Sequence, residues 1–221
     1  MAMNRVLKYL YYNFYVKIFP NYQIELEKAT GHCSSLLDVG CGSSSPIRRF
    51  SKRIYCVGVD AFGPSIEKSK RQKIHDEYYK LDVLEIGKKF GENSFDCVLA
   101  SDLIEHFTKK EGVELLEAME KIANKKVIVF TPNGFLPQEE YDNNPWQVHK
   151  SGWTVKEMKK RGYEVIGVNG WKPLRGECAS IKFRPKTFWK VISDITELIV
   201  RNNPEKAFQI LCIKSKRHSQ K

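Results

Sequence analysis

The chain has 221 residues, 42 % of them apolar and 12 % aromatic, which suffices for one substantial core and excludes two independent domains. Its formal net charge of +11 favours anionic partners such as phosphorylated substrates, nucleic acid or an acidic membrane surface. The six cysteines form no Cys-x-x-Cys pair, which disfavours a zinc site or a disulfide framework and is typical of reduced thiols in a cytoplasmic protein.

The N-terminal segment, residues 1–34, is predicted to be a helical attachment to the main domain. Its part from Val6 to Phe19 is rich in tyrosine and phenylalanine, but polar residues interrupt it and it is too short to cross a bilayer. No small-residue cleavage site follows, so we expect no signal peptide. We predict that this segment packs over the main domain as a helix, with peripheral contact to a membrane surface as the alternative.

From residue 35 onward, short apolar runs alternate with polar or amphipathic stretches. Continuous runs rich in Val, Ile and Leu are typical of strands that are buried on both faces. The predicted strands are Leu36–Val39, Ile54–Val59, Tyr78–Leu81, Phe95–Ala100, Val127–Phe130, Glu164–Val168 and Phe208–Ile213. Their alternation with helices predicts βαβ units, which build a parallel sheet with helices on both faces.

The helix starts are also legible in the sequence. Serine or glycine followed by proline fits an N-cap with proline at the first helical position, and threonine with glutamate three residues later fits a capping box. The predicted starts are Ser45-Pro46, Gly63-Pro64, Thr108 with Glu111, and Thr154 with Glu157. Gly162 is expected to end the last of these helices.

A segment from Trp171 to Glu205 separates the last two predicted strands and is interpreted as an insertion. Its first half is strongly basic. In its second half, Phe188, Ile195 and Ile199 recur at helical spacing, which predicts one amphipathic helix. The domain organisation predicted from these patterns is an N-terminal helical segment over 1–34, a main domain over 35–214 with the insertion 171–205, and a basic tail over 215–221.

The run Leu36–Pro46 reads as a strand, a glycine turn and a helix start. Gly40 and Gly42 permit backbone angles and a close ligand approach that a side chain would block. Asp60 ends the second strand 22 positions after Asp38, where a carboxylate can accept both hydroxyls of a ribose. NAD-dependent enzymes share this pattern. However, the third glycine that lets a helix approach a pyrophosphate is absent here, and S-adenosylmethionine has no phosphate.

With its other motifs, the chain resembles the class I S-adenosylmethionine-dependent methyltransferase superfamily and its methyltransferase type 11 group. The resemblance covers about residues 35–168 and rests on five ordered motifs: Leu36–Pro46, Gly58–Asp60, Leu81–Val83, Phe95–Asp102 and Val127–Asn133. It implies a Rossmann-like, doubly wound α/β fold with a seven-stranded, mostly parallel sheet whose last strand is antiparallel.

The resemblance also implies roles for single residues. Gly40 and Gly42 are expected to line the methionine moiety of the cofactor, and Asp60 is expected to hold the ribose. Asp82 and Val83 are expected to face the adenine. Two further residues complete the expected cofactor set: Asp38, near the amino end of the methionine, and Ser101, at the exit of the fourth strand.

The exit of the fourth strand also restricts the acceptor. It lacks the Asn-Pro-Pro-Tyr type of motif used on adenine or amide nitrogens, and no Pro-Cys nucleophile for cytosine carbon is present. Nucleic-acid bases are therefore disfavoured, and an oxygen or nitrogen of a small-molecule, lipid or glycan acceptor is predicted. His106 and His149 are the candidate catalytic residues, because ligands collect at the carboxyl ends of the strands. A structural role remains open for both histidines.

A divalent metal is a further hypothesis for this site. Asp102, Glu105 and His106 stand at i, i+3 and i+4, and this spacing is similar to the acidic-x-x-Glu-His element of metal-dependent ubiquinone-pathway and small-RNA 2′-O-methyltransferases, with His149 as a fourth ligand. Asp102 replaces the usual glutamate, so a metal-free general base is preferred.

Two other functions remain open: a catalytically silent member of the same fold that binds the cofactor or nucleic acid, and an NAD-dependent oxidoreductase. The insertion either covers the acceptor pocket, where Arg175 and Lys182 attract an anionic acceptor, or is an ordinary packed helix with a solvated loop. The sequence does not specify an oligomeric state.

Overall fold

A computed structural model of the chain describes residues 21–140, 144–176 and 179–216. The helix expected over Val6–Phe19 lies outside these ranges, as do the residues 217–221 of the basic tail. Residues 22–30, at the end of the expected N-terminal segment, form a helix.

Seven strands form one mixed sheet with the order β3-β2-β1-β4-β5-β7-β6. Their bounds are β1 Ser35–Val39, β2 Tyr55–Asp60, β3 Glu77–Lys80, β4 Phe95–Ser101, β5 Ala123–Pro132, β6 Glu164–Trp171 and β7 Ala207–Ser215. The first five strands are parallel, whereas β7 is antiparallel to both β5 and β6. The predicted fold class is therefore confirmed, including its antiparallel last strand.

The helices are α1 Tyr22–Thr30, α2 Gly63–Arg71, α3 Ile86–Lys89, α4 Lys109–Ile122, α5 Val155–Lys160 and α6 Lys186–Val200. Both predicted capping boxes are present, at Thr108 with Glu111 and at Thr154 with Glu157. Within the described ranges, no helix has the length and apolar character needed to cross a bilayer.

Two predicted helix starts need correction. Ser45 does act as an N-cap, but the turn that follows it, Pro46–Arg49, is a short 3₁₀ helix and not the start of an α-helix. Helix α2 begins at Gly63 and has Phe62 as its cap, one residue earlier than predicted. In both places proline still occupies the first turn, where its missing N–H costs no hydrogen bond.

The core lies in two layers, one on each face of the sheet, because successive residues of a strand point to opposite faces. In β1, Leu37 and Val39 join the layer under α4 and α5, and Leu36 joins the layer under α1. Strand β4 is buried on both faces from Phe95 to Ala100, as its continuous apolar run predicts. The cysteines of the described residues are free and buried.

The parallel register brings the strand ends that carry polar residues to one edge of the sheet. Val39 pairs with Val59 on one side and with Ala100 on the other. The residues that follow these strands therefore lie next to one another, at the edge where parallel α/β sheets bind their ligands.

Candidate active site

The glycine turn after β1 is fixed by backbone contacts to β2. Gly40 has a φ of +70°, and its N–H donates to the carbonyl of Val59 at 2.8 Å. A Cβ built at Gly40 would lie 2.5 Å from Cδ1 of Leu103, so a side chain at this position would push the Leu103 side chain aside. Glycine is therefore required here both for the backbone angle and for the close approach.

Asp60 holds the second half of the same turn. Its Oδ2 accepts the N–H of Gly42 at 2.8 Å, and its Oδ1 accepts the N–H of Phe62 at 2.8 Å. Partial burial raises the pKa of the carboxyl, and these two backbone donors oppose that shift. Each carboxylate oxygen can accept a further hydrogen bond, so Asp60 can orient the turn and also bind hydroxyl groups.

A cleft opens beside this turn and encloses about 550 Å³ of space that is continuous with solvent. Five of the residues predicted to bind the cofactor line it together: Gly40, Gly42, Asp60, Asp82 and Val83. The loop 144–147 contributes Asn144, Trp146 and Gln147 to the opposite wall. That contribution was missed in the sequence analysis, although an exposed tryptophan in a polar loop is a recognisable signal.

The other two residues of the expected cofactor set do not line the cleft. Asp38 is buried, and its Oδ2 accepts a hydrogen bond from the Ser45 hydroxyl at 2.5 Å and lies 2.8 Å from Nε2 of His75. Ser101 forms a hydrogen bond of 2.7 Å with the hydroxyl of Tyr22. The roles expected for Asp38 and Ser101 stay predictions. No sequence pattern pointed to His75, which lies before β3.

A second cavity, of about 860 Å³, adjoins the cofactor cleft. Aromatic and aliphatic side chains and several amides and titratable groups line it: Tyr22, Asp102, Glu105, His106, Phe130, Pro132, Leu136, Gln138, Gln147, His149, Asn169, Ala179, Phe208 and Gln209. Asp102, His106 and Gln147 line both the cleft and the cavity. These three residues form the junction between the cleft and the cavity.

Asp102 occupies the junction with an unusual backbone. Its φ of +46° is uncommon for a residue with a side chain, and its N–H donates to Phe130 at 2.8 Å. Its carboxylate can be reached from the cleft, but the surrounding protein limits its hydration and raises its pKa to about 7. Gln209 opposes this shift by donating to Oδ1 at 3.0 Å, and Asn169 in turn donates to the amide oxygen of Gln209 at 2.6 Å.

Glu105 lies behind Asp102 and is buried. The Thr131 hydroxyl donates to its Oε2 at 2.9 Å. Burial and the nearby carboxylate of Asp102 raise the pKa of Glu105 well above its ordinary value. Burial and the charge of Asp102 both favour the protonated form of Glu105.

His106 and His149 face each other with their ring centres 4.8 Å apart. Each has Nδ1 next to a backbone carbonyl, at 3.3 Å from Val148 for His106 and at 2.6 Å from Leu136 for His149. Burial lowers the pKa of both rings, and the neighbouring His149 adds to the effect on His106, whose pKa falls to about 4. Lowered pKa values favour the neutral form of both rings, and the carbonyls beside Nδ1 favour the tautomer that donates from Nδ1. The backbone of Asp102 and of Gln147 also forms hydrogen bonds with the His106 ring.

The metal hypothesis needs a correction in its ligand set. One potential ligand atom from each of Glu105, His106 and His149 lies within 4.8 Å of the others, and in the described residues no fourth carboxylate, thiol or imidazole joins them. Asp102 is outside this group, because its positive φ directs the residue toward Gln209. Three protein ligands still fit a catalytic ion with an open position, and carbonyl-bound Nδ1 atoms are typical of imidazoles that bind metals.

The fold, with its sheet order and antiparallel last strand, is the Rossmann-like methyltransferase fold. The family model described as "Methyltransferase domain", of type 11, matches residues 37–131, which span β1 to β5. The match identifies residues 37–131, somewhat less than half of the chain, as similar to a type 11 methyltransferase domain. It is a methyltransferase enzyme whose cofactor is S-adenosylmethionine, so the NAD-dependent and catalytically silent alternatives are set aside. No curated protein matches the chain.

Solved structures show the same fold at low sequence identity. An S-adenosylmethionine-dependent methyltransferase from Archaeoglobus fulgidus is 18 % identical, with a TM-score of 0.55, over 93 % of this chain and 100 % of the other. Magnesium protoporphyrin IX methyltransferase from Synechocystis, with bound S-adenosylhomocysteine, is 11 % identical, with a TM-score of 0.52, over 98 % and 90 %. A chain of the complex between the Haloferax volcanii Trm112 methyltransferase activator and its methyltransferase is 12 % identical, with a TM-score of 0.55, over 97 % and 96 %.

Proposed function

We propose that the protein transfers the methyl group of S-adenosylmethionine to an oxygen or nitrogen of a small-molecule, lipid or glycan acceptor held in the second cavity. The observation that carries this proposal is that Asp102 and His106 line both the cofactor cleft and the cavity. Groups that can accept protons therefore stand where the methyl group and the acceptor atom meet, as heteroatom methylation requires.

In the proposed step, the lone pair of the acceptor atom forms a bond to the methyl carbon. The carbon–sulfur bond breaks with its electrons going to sulfur, and S-adenosylhomocysteine leaves. The acceptor proton passes to Asp102, because a group with a pKa of about 7 is a better base near neutral pH than His106, with its pKa of about 4. In this scheme His149 accepts a hydrogen bond from the acceptor through Nε2 and orients it, and the His106 ring packs against His149 at the junction.

The residues that line the cavity restrict the charge and polarity of the reacting part of the acceptor. Among the described residues that line the cavity there is no lysine or arginine, so an anionic group of the acceptor finds no cation there. Arg175, expected to attract an anionic acceptor, instead donates to the Ser193 hydroxyl at 3.0 Å and to the carbonyl of Ala179 at 2.8 Å. We propose an uncharged hydroxyl or amine on a partly apolar body that contacts Phe130, Leu136 and Phe208.

The location proposed for this activity is the cytoplasm. The support is chemical: the buried cysteines of the described residues are free thiols, including Cys97 in β4 and Cys212 in β7. Free thiols are typical of a reducing compartment.

A second arrangement of the same site is favoured by the cluster of Glu105, His106 and His149, whose ligand atoms could hold a divalent ion. Bound there, an ion would lower the pKa of an acceptor hydroxyl, and it would favour the ionised form of Glu105. In that arrangement Asp102 stays outside the ligand set, as its contact with Gln209 requires.

Chelation separates the two arrangements. We expect full transfer activity after exhaustive treatment with EDTA, because proton acceptance by Asp102 requires no ion. The measurement is labelled-methyl transfer by the chelated protein, before and after addition of magnesium, manganese or zinc. Activity that disappears with the chelator and returns with one of these ions would contradict the metal-free step and assign the cluster to a metal.

The proposed function itself is tested by incubating the protein with methyl-labelled S-adenosylmethionine and an extract of the cells that produce it. Separation and mass spectrometry of the labelled products identify the acceptor class. We expect a neutral or amphiphilic molecule methylated on oxygen or nitrogen. A label found only on carbon would overturn the proposal of an oxygen or nitrogen acceptor.

A further inference from the structure

Helix α6 is amphipathic, as the sequence predicts. A packed amphipathic helix normally buries its apolar side, but α6 packs onto the protein with its more polar side. Its buried residues are Ser193, Glu197 and Val200. Its apolar side faces solvent, with exposed fractions of 44 % to 57 %, at Phe188, Val191, Ile195, Leu198 and Ile199. The helix packs against β6, and its apolar face takes no part in that packing.

Specific hydrogen bonds fix this orientation. Glu197 accepts the N–H of Gly170 at 2.6 Å, and Thr196 accepts the N–H of Trp171 at 2.9 Å. Burial raises the pKa of Glu197 to about 7, and the backbone donors at the end of β6 oppose that shift. Turning the helix to bury its apolar side would break these bonds and leave the buried N–H of Gly170 without this partner.

Aromatic side chains and cations lie beside the apolar face: Trp171 next to Thr196 in the second half of α6, and Phe183 and the cations at its N-terminal end. Trp171 and Phe183 are 45 % and 44 % exposed. The exposed cations of the loop before the helix and of its first turns are Lys182, Arg184, Lys186 and Lys190. The two acidic residues of α6 are engaged within the protein, Asp194 with Lys190 and Arg175, and Glu197 with β6. The surface therefore combines apolar and aromatic side chains with net positive charge.

We propose that this surface, formed by α6 and the loop 181–185, inserts into the surface of a bilayer that contains anionic lipids. Apolar and aromatic side chains of an interfacial helix enter the boundary between headgroups and acyl chains, and the neighbouring cations bind the anionic headgroups. A second copy of the chain fits this face less well. Its own cations would face the cations of this surface, with no anionic groups to balance them.

The surface adjoins the acceptor cavity, so membrane binding can deliver an acceptor to it. This part of the inference rests on the proposed function. Asn169, at the end of β6, and Ala179, shortly before the loop 181–185, both line the acceptor cavity. The segment that carries the lipid-binding surface thus forms part of the cavity wall. An acceptor anchored in the bilayer can enter the cavity from there, with an anionic headgroup on the cationic surface outside it.

The first test measures flotation of the full chain with vesicles of phosphatidylcholine alone and of phosphatidylcholine with phosphatidylserine. We expect binding to the anionic vesicles and a binding constant at least about tenfold lower for the double variant Ile195→Asp/Leu198→Asp. Both positions are exposed, so the variant is expected to fold. Unchanged cofactor affinity in calorimetry checks this.

The second test changes charge alone. The double variant Lys182→Glu/Arg184→Glu is expected to bind anionic vesicles at least about tenfold more weakly, since each cation near an anionic surface contributes to binding. The matched control is Lys68→Glu/Lys121→Glu, which makes the same change in net charge at exposed lysines outside this surface. The control is expected to bind like the wild type.

Three outcomes would overturn the proposal: no binding of the wild type to anionic vesicles, equal binding of the Ile195→Asp/Leu198→Asp variant, or equal losses in the surface and control charge variants. A dimer in light scattering that this apolar-face variant dissociates, without vesicle binding, would assign the face to a second copy. Vesicle binding is measured without methyl transfer, so normal binding by a protein that transfers no methyl group would contradict the proposed function alone.

Discussion

Replacing Asp102 by asparagine is expected to lower kcat for methyl transfer by about 100-fold to 10,000-fold, the usual contribution of a positioned general base. Asparagine keeps the shape of the side chain and an oxygen that can accept the hydrogen bond from Gln209, but it cannot take up the proton. Single-turnover transfer measures the effect, and calorimetry with S-adenosylhomocysteine checks that the cofactor site is intact. A variant with wild-type kcat would contradict the assignment of the base.

The pH dependence of the same step provides an independent check. A base must be ionised to act, so wild-type activity is expected to fall as the pH drops below about 7, the pKa to which its enclosure raises Asp102. Gln209 lowers that pKa through its hydrogen bond, and Gln209→Leu is therefore expected to shift the fall in activity to higher pH while activity above it persists. A shift to lower pH would contradict this account of Asp102.

Replacing Asp60 by alanine is expected to weaken S-adenosylmethionine binding by about 2 to 4 kcal/mol, which corresponds to about 30-fold to 700-fold in affinity. The variant loses the charge-assisted hydrogen bonds expected to the ribose. It also loses the acceptor that holds the N–H groups of Gly42 and Phe62 in the glycine turn. Isothermal titration of the purified variant measures the loss.

The other end of β2 offers a matched control for Asp60. Asp76 also accepts a backbone N–H with one carboxylate oxygen, that of Cys56 at 2.8 Å, but it does not line the cofactor cleft. Asp76→Ala is therefore expected to affect stability without affecting cofactor affinity. Equal affinities for the wild type and Asp60→Ala would place the ribose elsewhere.

The sequence predicts the sheet and much of the cofactor cleft because the determining signals are local. Continuous apolar runs such as Phe95–Ala100 mark strands buried on both faces, and the glycine turn with Asp60 marks the ligand edge. The observed strand boundaries differ from the predicted ones by a few residues. Strand β5, for instance, extends from Ala123 to Pro132, beyond its apolar centre, because backbone pairing with β4 and β7 continues past the buried residues.

The contacts that set the chemistry of the junction were not predictable in this way, because they join distant parts of the chain. Gln209 reaches Asp102 from β7 and Tyr22 reaches Ser101 from α1, at sequence separations of 107 and 79 residues. No local pattern identifies such partners. The pKa of Asp102 depends on this surrounding structure, so the sequence favoured the two histidines as bases instead.

The orientation of α6 shows a different limit of prediction from sequence. Periodicity shows that a helix has an apolar side, but the side that faces the protein is decided by contacts with the rest of the chain. Here Glu197 and Ser193 find partners at Gly170 and Arg175, and these bonds keep the apolar side in solvent. An amphipathic pattern therefore predicted the helix and not its packing.

The most direct test of the central claim is the transfer of a labelled methyl group from S-adenosylmethionine to a product whose methylated atom is identified by mass spectrometry. The measurement compares the wild type with Asp102→Asn at pH 8, where Asp102 is ionised in the wild type. The account predicts a product methylated on oxygen or nitrogen, stoichiometric S-adenosylhomocysteine, and a rate that falls at least about 100-fold in the variant. Transfer to carbon, or equal rates for the two proteins, would contradict it.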